Sequence, residues 1–338
     1  MSNVERTGDT FTESSAAEAP SPTFVLSIVV PMYNEEESIG RFFEVLLPVL
    51  DRMDLRYEMV CVDDGSTDTT LEKLVAYHVS NPNIKVISLS RNFGKEIALT
   101  AGMDHAAGAA VVLIDADLQD PPELIGELMD KWREGYDVVY ATRKERLGEG
   151  WLKRFTADVF YRLYNSLSPV PMPRNTGDFR LLDRRVVDAL SKLPERNRFM
   201  KGLFAWVGFR STCVHYNRQP RHGGTSKWSY WKLWNFAIDG FTQFATGPLR
   251  IWSYIGLFFA FMAFLYAGFL ILRTLIMGVD VPGYASLMVV TLFLGGVQLV
   301  CLGVIGEYLG RIFQEVKGRP LYFVRDAHGL KKIERERG

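Results

Sequence analysis

Cysteine is scarce in this sequence, and charge of neither sign is in excess. The 338 residues include three cysteines, Cys61, Cys213 and Cys301, which lie far apart in apolar settings. This spacing argues against a disulfide framework and a zinc site, and it is typical of a reducing compartment. Lysine plus arginine and aspartate plus glutamate each total 39, so the formal net charge is zero. A neutral chain argues against a nucleic-acid-binding protein.

Two phosphate-binding motifs are also missing, and the N-terminal residues do not have the pattern of a secretory leader. No GxGxxG follows the first apolar segment, and no GxxxxGK[ST] occurs. Their absence argues against a dinucleotide site and a P-loop NTPase. Residues 1–22 are polar and rich in Ser, Thr, Ala and acids, so we expect a disordered tail without a signal peptide.

Charge is absent altogether from two long segments near the C-terminal end. Residues 251–272 and 281–306 contain no Asp, Glu, Lys or Arg. Each is long enough to cross a hydrocarbon core of about 30 Å as a helix. We therefore predict two transmembrane helices, over residues 249–273 and 282–310, in preference to a pair of buried core helices.

Basic residues predict the orientation of these two helices. The connecting loop carries little beyond Arg273. The outer flanks carry Arg250, Arg311, Lys317, Arg319, Arg325, Lys331 and Lys332. By the positive-inside rule, the bulk of the chain and a basic tail over residues 311–338 face the cytoplasm. The expected location is a cytoplasmic (inner) membrane that the chain crosses more than once.

Residues 24–145 alternate between two kinds of segment. The first kind is short, apolar and rich in β-branched residues, as in residues 24–33, 57–64, 84–90, 109–117 and 137–143. The second kind is helix-like, as in residues 35–53, 67–80, 93–108 and 121–134. Continuous apolar runs suit strands buried on both faces, and alternation with helices predicts a parallel sheet. The predicted fold class is α/β, with a Rossmann-like, mostly parallel sheet in a domain over residues 23–225.

Polar residues cluster where four of the predicted strands end. The clusters are Tyr33–Glu36, Asp63–Ser66, Arg91–Asn92 and Asp115–Gln119. Ligands of parallel α/β sheets bind beyond the carboxyl ends of the strands, so we expect one shared site at this edge.

The fourth cluster has the composition of a site for a hard divalent cation. At an extended strand end, residues two apart point the same way, so Asp115, Asp117 and Gln119 could present three oxygen ligands to Mg²⁺ or Mn²⁺. The alternative is a polar strand-to-helix turn, in which Asp120 acts as the N-cap of a helix that begins at Pro121.

Five motifs, in their order and spacing, resemble a known family. They are VVPMYNEEESI, VDDGSTDTT, RNFGKEIALTAG, DADLQDPPE and NTGDFRL. Together with the paired C-terminal spans, they are similar to the family 2 glycosyltransferases with a GT-A fold, over about residues 24–325. Within that family the chain resembles the polyisoprenyl-phosphate branch, which includes dolichol-phosphate mannose synthases. The VPGYASL and GVIGEYLGRI segments most resemble the bacterial bactoprenol glucosyltransferases, whereas the QxxRW motif of processive members is missing.

The resemblance implies a metal-dependent, inverting transfer of a hexose to polyprenyl (undecaprenyl) phosphate at the cytoplasmic face, for a cell-envelope glycan. UDP-glucose is the expected donor, with GDP-mannose, UDP-GlcNAc or a UDP-aminopentose as alternatives. A lipid-linked sugar flippase and an inactive scaffold are more distant alternatives. Two spans without intramembrane acids or repeats argue against the flippase, and the intact set of acids argues against the scaffold.

The resemblance also assigns roles to individual residues. The catalytic set is Asp115, Asp117 and Asp178, and the metal ligands are Asp115, Asp117 and Gln119. Residues implied to bind the donor nucleotide sugar are Pro31, Tyr33, Glu35, Asp63, Asp64, Asn92 and Lys95. Cations expected to bind the lipid phosphate are Arg143, Arg180, Arg198 and Lys201.

Several roles remain open for Asp178, which matches the position usually assigned as a catalytic base. The acceptor is a phosphate monoester whose second pKa is about 6, so it hardly needs a base at neutral pH. Asp178 could instead orient the sugar or stabilise the oxocarbenium-like transition state, or it could be the N-cap of a helix over residues 181–190.

Two further stretches are amphipathic and rich in aromatic residues. Residues 151–168 and an interface helix over residues 226–248 suit the headgroup region, the latter through Trp228, Trp231 and Trp234. For the first stretch, packing against the α/β domain is an almost equal alternative. Small residues in the second span, among them Gly295 and Gly303, permit close helix packing, and we expect a homo-oligomer.

Overall fold

The computed structural model describes residues 24–143, 176–196, 198–216 and 283–330, with scattered helical positions between 258 and 276. The first range alternates strands and helices: β1 Phe24–Met32, α1 Ile39–Arg52, β2 Tyr57–Asp63, α2 Thr70–Ser80, β3 Ile84–Leu89, α3 Lys95–His105, β4 Gly108–Leu113, α4 Leu124–Arg133 and β5 Val138–Arg143. The later ranges contain β6 Thr176–Asp183, α5 Arg184–Ser191, α6 Met200–Trp206, β7 Ser211–Tyr216, α7 Tyr284–Val316 and β8 Val324–His328.

The eight strands form one sheet in the order β7-β5-β6-β4-β1-β2-β3-β8. Strand β1 pairs in parallel with β2 and β4, β2 with β3, and β5 with β7. Strand β6 is antiparallel to both β4 and β5, and β8 is antiparallel to β3. The prediction of a mostly parallel α/β sheet is confirmed, and the carboxyl ends of β1 to β4 lie along one edge.

Both faces of the sheet are covered, which explains why its central strands are continuously apolar. Ile28 and Val30 of β1 pack on one face against Phe42 of α1. Val29, between them, packs on the other face with Leu99 of α3 and Met200 of α6. Successive side chains of a strand point to opposite faces, so a strand with helices on both sides is apolar at most positions.

The predicted start of α4 is wrong by three residues. The helix begins at Leu124 after Glu123, and no side chain caps it. Asp120, predicted as the N-cap, is buried and accepts a hydrogen bond from the Tyr216 hydroxyl. A long-range partner on β7 therefore fixes Asp120, and local sequence gives no sign of that contact.

A long apolar helix follows the sheet. In the described part of the chain, one helix is long and apolar enough to cross a bilayer: residues Phe293–Val316 of α7, whose most apolar stretch is not buried in the protein. This segment overlaps the second predicted span. The first predicted span contains described helical positions between 258 and 273, and no second crossing is established.

Several predictions fall outside the described residues. The tail over residues 1–22, the amphipathic stretch over residues 151–168 and the interface helix over residues 226–248 are among them, as is the chain beyond residue 330. The side chain of Arg143 is likewise not described.

The segment after α7 returns to the sheet, which corrects the prediction of a basic tail over residues 311–338. Residues 324–328 form the edge strand β8, and the Ser90 N–H donates to the Phe323 carbonyl over 2.9 Å. The Tyr322 hydroxyl donates to Asp104 over 2.8 Å. At the end of α7, Glu315 accepts the main-chain N–H of Arg196 at 2.9 Å. Hydrogen bonds thus connect the end of the apolar helix to the α/β domain.

Candidate active site

Hydrogen bonds link the four polar clusters at the carboxyl edge of the sheet. The Asn34 N–H donates to Ser66 Oγ over 3.0 Å, which joins the first cluster to the second. Asp64 joins the second to the segment after the third, because its carboxylate accepts the N–H groups of Phe93 and Gly94 at 2.8 and 2.9 Å. Lys95 reaches the fourth cluster through Asp115, 2.7 Å away. The shared edge expected from the strand order therefore exists as one connected network.

Gly65 explains how closely the second and third clusters approach. Its φ is 68°, in the left-handed region that favours glycine. A Cβ at this position would lie 2.4 Å from the main-chain carbonyl carbon of Arg91. Glycine is therefore required both for the turn and for the contact.

An ion cluster of one lysine and two carboxylates lies at the centre of this edge. Lys95 Nζ, at the start of α3, is 2.7 Å from the Asp115 carboxylate and 2.5 Å from Asp178 Oδ2. Lys201 Nζ, on α6, is 3.9 Å from Asp178 Oδ1. Burial alone would lower the pKa of Lys95, but the charges of Asp115 and Asp178 outweigh it and raise that pKa. Lys95 therefore remains a cation throughout the neutral range.

Asp178 lies on β6, so the alternative that it caps a helix is wrong. The N-cap of α5 is Asp183, whose side chain accepts the N–H of Arg185. Burial would raise the pKa of Asp178, but Lys95 and Lys201 outweigh it and hold that pKa well below its usual range. A carboxylate so stabilised is a weak base, which favours a positioning role.

Arg180 shares the Asp178 face of β6, since Phe179 between them points into the core. Its guanidinium is 4% exposed, lies 4.0 Å over the Phe204 ring and donates to the Gly177 carbonyl. Burial lowers the pKa of Arg180 to about 10, against the opposing charge of Asp178. Its Nε is buried and has no hydrogen-bond partner in the described structure, so a donor remains for a ligand.

Arg198 does not join this group. Its guanidinium is buried and donates to the carbonyls of Leu190, Leu193 and Glu195. These bonds hold the loop between α5 and α6, so the prediction that Arg198 binds the lipid phosphate is corrected to a structural role.

Glu96 belongs to the cluster although no sequence pattern singled it out. Burial, and then the charge of Asp178, raise the pKa of Glu96 to about 7, against the opposing charges of Lys95, Lys201 and Arg180. Its Oε2 is buried and has no hydrogen-bond partner in the described part of the chain. The sequence signal was weak, because an acid in a first helical turn is ordinary.

Of the residues implied to bind the donor, Tyr33 and Asn92 are exposed, whereas the paired aspartates are buried. Tyr33 is 41% exposed beyond the end of β1, next to Glu35. Asp63 and Asp64 are at most 2% exposed. Burial raises the pKa of Asp64, opposed by the N–H groups that it binds. The aspartates hold the loops in place, whereas the side chains of Tyr33 and Asn92 are exposed at this edge.

The predicted metal ligands lie in a turn. Strand β4 ends at Leu113, and Leu118 has a φ of 52°, so the residues do not continue as a strand. The Asp117 carboxylate accepts the N–H of Gln119, and the Gln119 side chain is buried. The inference of three ligands from an extended strand end is therefore wrong. Asp115 and Asp117 still fit Mg²⁺ or Mn²⁺, since Mg²⁺ is usually bound by one or two carboxylates plus phosphates.

The sheet and its charged carboxyl edge define the class: a GT-A-like α/β domain. The model of the glycosyl transferase family 2 matches residues 27–191, and that of the GtrB C-terminal hairpin matches residues 247–312. An uncharacterized glycosyltransferase of Synechocystis sp. is 60% identical over 315 residues, 93% of this chain and 99% of its own. The SfII prophage-derived bactoprenol glucosyl transferase of Shigella flexneri is 50% identical over 303 residues, 90% of this chain and 98% of its own.

Among solved structures, glucosyl-3-phosphoglycerate synthase of Mycobacterium tuberculosis matches with a TM-score of 0.43 and 21% identity, over 65% of this chain and 78% of its own. The family of this chain is assigned from its sequence relatives. The chain belongs to the family 2 glycosyltransferases, and it is a glycosyltransferase that carries the GtrB-type C-terminal hairpin.

Proposed function

We propose that this enzyme transfers glucose from UDP-glucose to polyprenyl (undecaprenyl) phosphate, with inversion, at the cytoplasmic face of the membrane. The observation that carries the proposal is the ion cluster at the carboxyl edge, in which Lys95 bridges Asp115 and Asp178. Relatives named bactoprenol glucosyl transferases, 48–50% identical over about nine tenths of this chain, support the lipid acceptor.

The cluster suits a reaction between two anionic substrates. An acceptor phosphate oxygen attacks the anomeric carbon, the bond from that carbon to the diphosphate oxygen breaks, and the nucleoside diphosphate leaves. The acceptor is largely dianionic at neutral pH, so Asp178 need not remove a proton. Besides Lys95, the described cations beside Asp178 are Lys201 and the buried Arg180, and we assign these two to the acceptor phosphate.

A divalent cation completes the donor site in this proposal. Asp115 and Asp117 would hold Mg²⁺ or Mn²⁺, and the ion would neutralise charge on the leaving diphosphate. Tyr33 would stack on the base, with Glu35 and Asn92 alongside. In this proposal Pro31 and the buried Asp63 and Asp64 hold the backbone of this part of the site in place.

The C-terminal segments support a reaction at the bilayer. The most apolar stretch of α7 is unburied, and the segment beyond it is bonded to the catalytic sheet, so in this proposal the site lies close to the headgroups. We propose two crossings with both flanks cytoplasmic, and association of copies through small residues of α7 such as Gly295 and Gly303.

The donor and acceptor are tested with purified full-length enzyme in lipid nanodiscs containing polyprenyl phosphate. Labelled UDP-glucose, GDP-mannose, UDP-GlcNAc and a UDP-aminopentose are supplied in turn. We expect label from UDP-glucose in the lipid fraction, strongly reduced by Asp178→Asn and retained in Asp188→Asn, a matched change at an exposed aspartate of α5. Labelling from another donor would replace UDP-glucose, and no labelling from any donor would refute the proposal.

The topology is tested by labelling single cysteines in a background without the native three. Gly278→Cys should react with an impermeant thiol reagent from outside, whereas Leu330→Cys should react only after lysis. The reverse pattern would overturn the cytoplasmic placement of the site.

A further inference from the structure

The strand that follows the apolar helix is hydrogen-bonded to the donor side of the candidate active site. Arg325 of β8 donates from Nη2 to Ser88 Oγ over 2.9 Å, and Ser88 Oγ donates to Asp63 Oδ2 over 2.9 Å. Asp63 Oδ1 accepts the Ser66 N–H at 3.0 Å, and Ser66 Oγ accepts the Asn34 N–H at 3.0 Å. Four hydrogen bonds therefore connect β8 to the turn after β1.

The direction of the first two bonds is fixed by chemistry. A guanidinium only donates, so the Ser88 hydroxyl accepts from Arg325 and its single proton is left for Asp63. Ser88 and Asp63 are fully buried. In such surroundings a cationic donor polarises the hydroxyl and strengthens its bond to the carboxylate. Arg325 thus helps to hold the carboxylate that fixes the Ser66 turn.

Asn34 lies at the far end of this series of hydrogen bonds, and its conformation depends on them. Asn34 has a φ of 53°, in the left-handed region, which asparagine adopts more readily than most other residues and which contacts stabilise here. Those contacts come from the turn at residue 66: Ser66 Oγ accepts the Asn34 N–H, and the Thr67 N–H donates to Asn34 Oδ1 over 2.9 Å. The conformation of Asn34 sets where the exposed ring of Tyr33 lies.

We propose that Arg325 is a positioning residue for the donor nucleoside, acting through Ser88 and Asp63 on the turn that carries Tyr33. This inference rests on the proposed function, in which Tyr33 stacks on the base. Donor binding then depends on β8, and so on the segment that returns to the sheet from the apolar helix.

The test compares Arg325→Ala with the parent as full-length enzymes in nanodiscs. We expect the Kd for UDP and the KM for the donor to rise roughly tenfold, the loss of one charge-assisted hydrogen bond. The kcat and the KM for lipid phosphate should stay close to those of the parent. Arg319→Ala is the matched control, since Arg319 lies on the same segment and contacts Arg196 through its main-chain carbonyl. It should leave all four constants unchanged.

Two further measurements separate this role from general loss of structure. Ser88→Ala interrupts the series of hydrogen bonds without altering β8. It should reproduce the defect, and the double variant with Arg325→Ala should be no worse than either. Hydrogen exchange at the Asn34 and Ser66 amides should be faster in Arg325→Ala but not in Arg319→Ala.

The outcomes distinguish the inference from the proposed function. Unchanged UDP affinity and unchanged exchange in Arg325→Ala would overturn the positioning role, as would additive defects in the double variant. If the parent binds no UDP, the proposed function fails, while the exchange measurement still decides whether Arg325 orders the turn.

Discussion

Replacing Lys95 with Met removes the cation between two carboxylates while keeping most of the side-chain length. Lys95 Nζ lies 2.7 Å from the Asp115 carboxylate and 2.5 Å from Asp178 Oδ2. Lys201, 3.9 Å from Asp178, is too far away to replace either bond. Two partly buried negative charges would then face each other across the site.

The stability cost follows from the exposure of the three side chains. A charge-assisted hydrogen bond contributes about 1.5–3 kcal/mol when shielded, and an exposed ion pair about 0–1 kcal/mol. The side chain of Lys95 is 41% exposed, and those of Asp115 and Asp178 are 32% and 19% exposed. We therefore expect about 1 kcal/mol for each bond and about 2 kcal/mol in total.

The stability deficit of Lys95→Met should change with pH in a predictable direction. In the parent, the depressed pKa of Asp178 means that its contribution to stability is present above the unfolded pKa and is lost only as pH falls through the folded value. Without Lys95, burial is opposed mainly by Lys201 and Arg180, so we expect the pKa of Asp178 to rise and the folded variant to take up a proton at higher pH than the folded parent. The stability deficit of Lys95→Met should shrink as pH falls from about 8 to about 5.

Thermal unfolding in detergent measures the deficit, and transfer of labelled glucose measures activity. We expect a lower unfolding midpoint and at least roughly a hundredfold slower transfer. Lys131→Met is the control, because it removes a surface ion pair with Glu134 on α4. Equal effects at the two lysines, or a deficit that does not depend on pH, would refute the reasoning.

Four further variants test the other parts of the site. Glu96→Gln should flatten the pH dependence of stability: the pKa of Glu96 near 7 lets the folded parent bind an extra proton, so the parent loses stability as pH rises from about 5 to about 7. Asp178→Asn should slow transfer by an amount that does not change above about pH 7; alkaline rescue would indicate a general base. Chelation should abolish activity, and Asp117→Asn should nearly do so without unfolding; normal turnover would remove Asp117 from the metal site. Gly65→Ala should cost about 1–3 kcal/mol and weaken donor binding, whereas Gly126→Ala, with open space around it, should not.

The central strands could be predicted because both of their faces are covered. In β2 every residue is buried, so burial on both sides appears in the sequence as a mostly apolar run. The carboxyl ends of such strands meet at one edge, which located the polar clusters without any knowledge of contacts.

The edge strand β8 could not be predicted in this way. Its sequence, VRDAH, is mostly polar, and four of its five residues are exposed, so it has no hydrophobic period. The strand is fixed by pairing with β3 and by the bond from Arg325 to Ser88, 237 residues away in sequence.

The ionisation states of the site residues also could not be predicted from the sequence. NTGDFRL marks Asp178 as a motif residue but does not show that Lys95, 83 positions earlier, lies 2.5 Å from it. The same holds for Glu96, whose raised pKa depends on burial and on Asp178. The turn at residues 115–119 was only the alternative prediction; it forms because the Asp117 carboxylate accepts the main-chain N–H two residues on, which competes with an extended strand end.

Mass analysis of the lipid product and assay of the released nucleotide, in the same reaction, test the central claim most directly. Purified enzyme in nanodiscs is given UDP-glucose and polyprenyl phosphate. We expect one hexose added to the lipid phosphate and one UDP released for each lipid converted. Release of UDP without a lipid product would show a hydrolase. A lipid product that contains a diphosphate, with UMP released, would show transfer of a sugar phosphate, and either result would contradict glycosyl transfer to polyprenyl phosphate.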